Sequence, residues 1–194
     1  KPSLLKYDEV NTFFHEFGHA LHSVLGATRL ASQAGTNVKS DFVELPSQML
    51  ENWLEDREIL KNLSCHYQTG AQLPDDLLDK KLELLRFGIG MRTVTQGLYA
   101  MVSLDYFGKG SHKDTDAIWQ KYAERLMPYS VYDTECHMQY SFGHLVGYGA
   151  KYYGYMWSDV LGQDVFAQIE KQGLLNPQIG QHYIDCILSK GGNR

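Results

Sequence analysis

Apolar residues along this chain recur at helical rather than alternating spacing. Phe13, Phe14, Phe17, Leu21, Val24 and Leu25 return every three or four positions, which predicts an amphipathic helix over residues 8–25 with those side chains as its apolar stripe. Asp8 is its expected N-cap, Glu9 sits in its first turn, and Gly26 is its expected stop. Residues 26–40 are polar and contain glycine, so they predict a loop or short strand turning at Ala34-Gly35-Thr36-Asn37. A second helix is expected from Asp41 or Pro46 to about Leu60. Gly70-Ala71-Gln72-Leu73-Pro74 breaks the pattern, and Pro74-Asp75-Asp76 reads as a helix start. The periodicity then continues past Leu85 and Val94 to Leu104, predicting one long helix with Gly88, Gly90 and Gly97 as kinks or close-packing points. Residues 108–114 read as a surface loop, and 116–126 as a short helix stopped by Pro128. After irregular chain to about Ser141, a helix is expected through a tyrosine-rich stretch to about Leu161. Asn176-Pro177 starts a last helix that ends before Gly191-Gly192. The expected fold class is therefore mainly α, without internal repeats or low-complexity tracts.

Composition narrows the function classes. At 194 residues and 43% apolar content the chain can bury a sizeable core as one domain or part of one. A formal net charge of −5 speaks against nucleic acid as a partner, and no apolar run approaches a membrane span. The three cysteines, Cys65, Cys136 and Cys186, include no C-x-x-C pair, so neither a disulfide framework nor a thiolate metal site is expected. Reduced thiols and the lack of an apolar leader in the first residues point to the cytoplasm, with the mitochondrial matrix as the alternative.

The chemistry concentrates in His15-Glu16-Phe17-Gly18-His19. On a helix, positions i and i+4 share one face about a turn apart, so two imidazoles can hold one zinc ion while the glutamate between them reaches a water on that ion. With 8 histidines and 10 glutamates in the chain, this spacing is rare by chance. A catalytic zinc needs a third protein ligand and an open position. Glu44 is the candidate: it follows His19 by 25 residues, a gap that fits a loop and a second helix lying alongside the first. Glu51 and Asp41 are candidates to orient an imidazole N–H from behind. The bland alternative for each carboxylate is a solvated helix face.

Hydrolysis of an amide passes through an oxyanion that hydrogen-bond donors stabilise. Seven of the 13 tyrosines fall between Tyr129 and Tyr155. His144, Tyr148, Tyr152 and Tyr155 are candidate donors there, with Tyr148, Tyr152 and Tyr155 on one helical face at i, i+4 and i+7. An aromatic core stripe is the competing reading.

Together these segments resemble the thimet oligopeptidase–neurolysin family of zinc peptidases over nearly the whole chain. Phe14-His15-Glu16-Phe17-Gly18-His19-Ala20-Leu21-His22 is similar to the family's zinc helix. Gly35-Thr36 and Asp41-Phe42-Val43-Glu44-Leu45-Pro46-Ser47-Gln48 resemble its third-ligand segment, and His66-Tyr67-Gln68-Thr69-Gly70 the piece that follows. Residues 147–155 look more like the mitochondrial intermediate peptidase branch, and residues 41–53 more like the thimet branch.

The resemblance implies one zinc per chain on His15, His19 and Glu44, with Glu16 as general base. It implies that His144, Tyr148 and Tyr155 face substrate and transition state, with Gly35 and Tyr152 as further substrate contacts. Short peptides are the implied substrates, cut at internal bonds by a zincin-like helical segment of a longer, two-lobed, channel-containing protein. A segment without the opposite channel wall is expected to self-associate through uncovered apolar surface. The alternative from another class is a metal- or peptide-binding fragment without catalysis.

Overall fold

The computed structural model describes residues 3–131, 133 and 135–192. Tyr132, one of the seven clustered tyrosines, lies outside them. The described residues are mostly helical and contain no strand: α1 (Tyr7–Leu25), α2 (Leu45–Glu51), α3 (Arg57–Leu63), α4 (Asp75–Arg86), α5 (Ile89–Tyr106), α6 (Thr115–Leu126), α7 (His144–Tyr148), α8 (Gly154–Gln172) and α9 (Pro177–Cys186), with short 3-10 turns between them. The chain divides into two compact units, Lys1–Phe87 with Ser158–Arg194, and Gly88–Trp157.

In the first unit α1 begins at Tyr7, and its N-cap lies two residues before the expected Asp8. Lys6 is the N-cap, and its backbone N–H donates to the Glu9 carboxylate at 2.6 Å. The predicted stripe of α1 is split: Phe14, Leu21 and Leu25 are half-buried, but the fully buried positions lie elsewhere. Phe13, Phe17 and Val24 are exposed, with Phe13 and Phe17 stacked on each other, whereas Gly18 and His22 are buried. The reason lies at Gly18. A Cβ there would sit 2.5 Å from Ser47 Cα and 2.6 Å from the Pro46 carbonyl oxygen. Only a residue without a side chain lets the backbones of α1 and α2 approach so closely, and that contact turns the histidine face inward.

Gly26 does follow the last residue of α1, but with φ −81° it is not a left-handed stop. Its requirement is contact: a Cβ would meet Gly35 Cα at 2.5 Å, and Gly26 O accepts the Gly35 N–H at 2.7 Å. Gly35 itself turns at φ +53°, where glycine is favoured.

The expected second helix is three pieces. α2 ends at Glu51, a 3-10 turn covers Asn52–Glu55, and Asp56 leaves helical geometry to accept the Ile59 N–H and cap α3. A local cap here outcompetes continuation of the helix. Met49, Ile169 and Ile179 form the apolar core of this unit, with Trp53, Phe166 and Tyr183 packed against them. Asn176 caps α9 by accepting the Gln178 N–H, with Pro177 at its first position.

The predicted long helix is two. α4 stops at Arg86, and Gly88, at φ +71°, precedes α5. Periodicity cannot register that break, because Phe87 and Ile89 keep the apolar spacing across it. Gly90 and Gly97 meet nothing within 4 Å, so they are not packing contacts. The second unit packs α5 on α6 through Leu98, Val102 and Tyr122. Its other cluster is Ala100, Phe142 and Tyr152. The tyrosine segment is likewise interrupted: α7 ends at Gly149 (φ +54°), whose carbonyl accepts the Ser103 hydroxyl at 2.6 Å, and α8 runs on to Gln172.

Two glycines in helices should respond oppositely to alanine. Gly18→Ala is expected to destabilise by about 1–3 kcal/mol, since the methyl meets backbone that has no room to yield. Gly97→Ala, inside α5 and facing open space, should stabilise by about 0.5–1 kcal/mol. Urea unfolding of the two variants checks both signs.

Candidate metal centre

α1 supplies two imidazoles one turn apart. The His15 and His19 rings lie 5.0 Å apart between centroids, at 83° to each other. Glu44 is the residue just before α2, and Pro46 in that helix's first turn costs no hydrogen bond because N–H groups there are unpaired anyway. The Gly18 contact brings this end of α2 against α1. Glu44 Oε2 then lies 3.3 Å from His15 Nε2 and 3.1 Å from His19 Nε2. Donor atoms of all three residues fall within 4.8 Å of one another, and no other trio of His, Cys, Asp or Glu does so among the described residues.

The Glu44 carboxylate is 2% exposed. A charge so buried needs compensation. Ser47 Oγ lies 3.2 Å from Glu44 Oε2, and the two imidazoles face the same oxygen. Behind His15, Glu51 Oε1 lies 2.6 Å from Nδ1, and the other Glu51 oxygen accepts from Asn11 Nδ2 at 2.7 Å. Burial pulls the His15 imidazole down, but its hydrogen bonds to Glu44 and Glu51, with their charges, outweigh that and hold it up at about 9. His19 is bonded differently: its Nδ1 is buried without a hydrogen-bond partner.

Glu16 sits between the two histidines on α1 and is exposed. Asp41 lies in the turn before α2, where its backbone carbonyl accepts the Ser158 hydroxyl at 2.9 Å. Gly35 is buried against the end of α1.

The tyrosine candidates belong to the second unit. His144 touches Tyr148, Tyr152 and Tyr155 at ring separations of 5.9, 5.4 and 5.6 Å, and Tyr148 lies 5.2 Å from Tyr155. The four rings gather although the helix they were expected to share is broken at Gly149. Tyr152 is a core residue, 6% exposed, whose hydroxyl donates to Gln96 at 2.9 Å. Burial, then the neighbouring Tyr99, pushes that hydroxyl up to about 12. Tyr148 and Tyr155 are half-buried. An apolar cavity of about 370 Å³ also opens in this unit beside Trp119, Met127 and Cys136, but it contains none of the candidate residues.

Two residues near the metal centre escaped the sequence reading. Asn11 stands four positions before His15 on the same helix row, and that spacing was the available signal. His22, fully buried with neither ring nitrogen hydrogen-bonded, stacks edge-on to Phe42 at 6.5 Å. Burial, then the neighbouring His19, lowers its affinity for a proton.

Comparison with known proteins gives the class first: the chain matches a family of peptidases. The match to the sequence model of peptidase family M3 runs over residues 1–194, and the chain belongs to that family. It is 37% identical over 198 residues to oligopeptidase A of Escherichia coli, which covers all of this chain and 29% of that protein. Mitochondrial intermediate peptidase of Candida glabrata is 35% identical, over 97% of the chain and 25% of its own length. Saccharolysin of Saccharomyces cerevisiae is 34% identical, over 99% and 28%. The chain thus spans less than a third of the curated relatives it matches. No helix among the described residues is long and apolar enough to cross a membrane.

The raised His15 value has a measurable consequence. A metal ion can take Nε2 only after its proton leaves. At pH 7 the metal-free His15 carries that proton, so zinc uptake should release about one proton, and apparent zinc affinity should climb with pH until about 9. Titration calorimetry in buffers of different ionisation enthalpy measures the release. Uptake at pH 7 with no proton released would show that His15 is not protonated in the metal-free protein.

Proposed function

We propose that this chain carries the metal centre of a zinc-dependent oligopeptidase that hydrolyses internal bonds of short peptides. One observation carries the reading: two imidazole nitrogens and a buried carboxylate oxygen converge from two helices. Their 3.1 and 3.3 Å separations compare with edges of about 3.3–3.6 Å for a tetrahedron whose bonds to zinc are about 2.0–2.2 Å. The donor types suit zinc as well, since nitrogen from histidine and oxygen from carboxylate with one position left open is a catalytic zinc set. The burial of the Glu44 carboxylate supports the same reading, because a carboxylate taken out of water is stabilised by a cation beside it. His15, His19 and Glu44 would hold the ion. Bound there, zinc would supply a Lewis acid that acidifies a water and polarises the scissile carbonyl.

The chain's own residues do the rest. Glu16 lies between the ligands without joining them, so its carboxylate is free to take the proton of the attacking water and return it to the leaving amine. Glu51 holds the far side of His15 and fixes that ring. Tyr148 and Tyr155, packed around His144, are proposed to donate hydrogen bonds to the developing oxyanion. This role is supported by two hydroxyl-bearing rings gathered on one histidine. Asp41 and Gly35 line the turns that seat Glu44 and the end of α1. The names of the relatives, oligopeptidase A among them, support peptides as the substrate class.

In the full-length protein, Glu16→Gln should lower turnover of a quenched short peptide at least about a hundredfold, as loss of a general base does, while zinc affinity stays nearly unchanged. Turnover close to wild type would remove the general-base role. Tyr155→Phe and Tyr148→Phe should each lower kcat more than they raise KM, because a bond made mainly in the transition state is lost. Steady-state kinetics of both variants test this. Two variants turning over like wild type would leave the tyrosines as packing residues.

A further inference from the structure

Tyr7, Asn11, His15 and His19 follow one another every four residues along α1 and so form one row on its surface. Glu51, the last residue of α2, meets the middle of that row with both oxygens. Oε2 accepts from Asn11 Nδ2 at 2.7 Å and Oε1 lies 2.6 Å from His15 Nδ1. The contact is partly buried, with the Glu51 side chain 30% exposed. The amide orientation follows from the chemistry, since only the NH2 of asparagine can donate to a carboxylate.

Glu51 needs such a partner. It stands at the C-terminal end of α2, where the helix dipole disfavours a negative charge. A flexible glutamate bonded only to His15 would also keep rotamer freedom, and the ring would move with it. A lysine or arginine in place of Asn11 would fix the carboxylate but neutralise it. The neutral amide fixes it and leaves its full charge facing the imidazole.

We propose that Asn11 is a positioning residue of the metal centre: its amide locks the Glu51 carboxylate in the orientation that holds His15 Nδ1–H and keeps Nε2 aimed at Glu44 and His19. This rests on the reading of His15, His19 and Glu44 as zinc ligands. Asn11 touches neither the ion nor the substrate, so its effect passes entirely through Glu51.

The test is a double-mutant cycle on zinc affinity in the full-length protein, measured at fixed pH by competition with a chromophoric chelator. Four proteins are compared: wild type, Asn11→Ala, Glu51→Ala and the double variant. Alanine is the better helix former at position 11, so α1 should persist, and thermal unfolding of the metal-free forms checks it. Partners of ligating histidines are worth about 10–100-fold in affinity. Glu51→Ala should cost that much, and Asn11→Ala, one bond further out, about 3–10-fold. In the absence of Glu51 the Asn11 change should cost nothing more. Asn11→Asp, of equal size without the donor, should weaken zinc at least as much as Asn11→Ala. Wild-type affinity in Asn11→Ala would overturn the proposal, as would an equal loss with and without Glu51. A His15→Ala control that still binds zinc like wild type would overturn the ligand reading, and the proposal with it.

Discussion

A backbone-to-backbone contact at Gly18 sets up the candidate metal centre. The row of α1 that carries His15, Gly18 and His22 can lie against α2 only because position 18 has no side chain. The contact places the start of α2, and with it the Glu44 carboxylate, in front of both imidazoles. Such a carboxylate cannot stay buried uncompensated. In the metal-free protein the positive charge is a proton on His15, held well above its usual range. A divalent cation would replace that proton at the same place. Packing and charge compensation are thus one problem solved at one crossing.

The two histidines are not equivalent. His15 is gripped from both sides, by Glu44 at Nε2 and Glu51 at Nδ1. His19 meets Glu44 through Nε2, while its buried Nδ1 has no hydrogen-bond partner. His15 is therefore held at both ring nitrogens, and His19 at one. His22 continues this inward face a turn further on, and burial disfavours its charged form. The inner face of α1 is consequently polar at its centre, and the aromatic pair Phe13–Phe17 stands exposed.

In the second unit the same economy of contacts appears around aromatic rings. Tyr152 is packed into the core and tied to Gln96, His144 and Tyr155 pack on it, and Tyr148 packs on those two rings. The chain reaches this arrangement through a short helix, a left-handed turn at Gly149 and a fresh helix, rather than along one continuous helix. Gly149 is anchored in turn by the Ser103 hydroxyl. The rings cluster because α7, the 3-10 turn after it and the start of α8 converge on one core.

What the sequence determined by itself is what local geometry dictates. The i, i+4 spacing of His15 and His19 on a helix follows from 3.6 residues per turn and needs no partner. The Gly35 turn and the Asn176-Pro177 helix start are equally local, read from one or two residues with a fixed backbone preference. The tertiary structure decided the rest. Which face of α1 is buried depended on the approach of α2, and that contact overrode an apolar stripe drawn from periodicity. The breaks at Asp56, Gly88 and Gly149 depended on a cap or a left-handed turn winning over propagation, a competition that apolar spacing does not record. Residue type and spacing named Glu44 and Glu51 as candidates, but their pairings with the imidazoles, and that of Asn11 with Glu51, span 25 to 40 residues of chain. Periodicity carries no information over such distances, because two side chains that far apart in sequence meet only where packed helices bring them together.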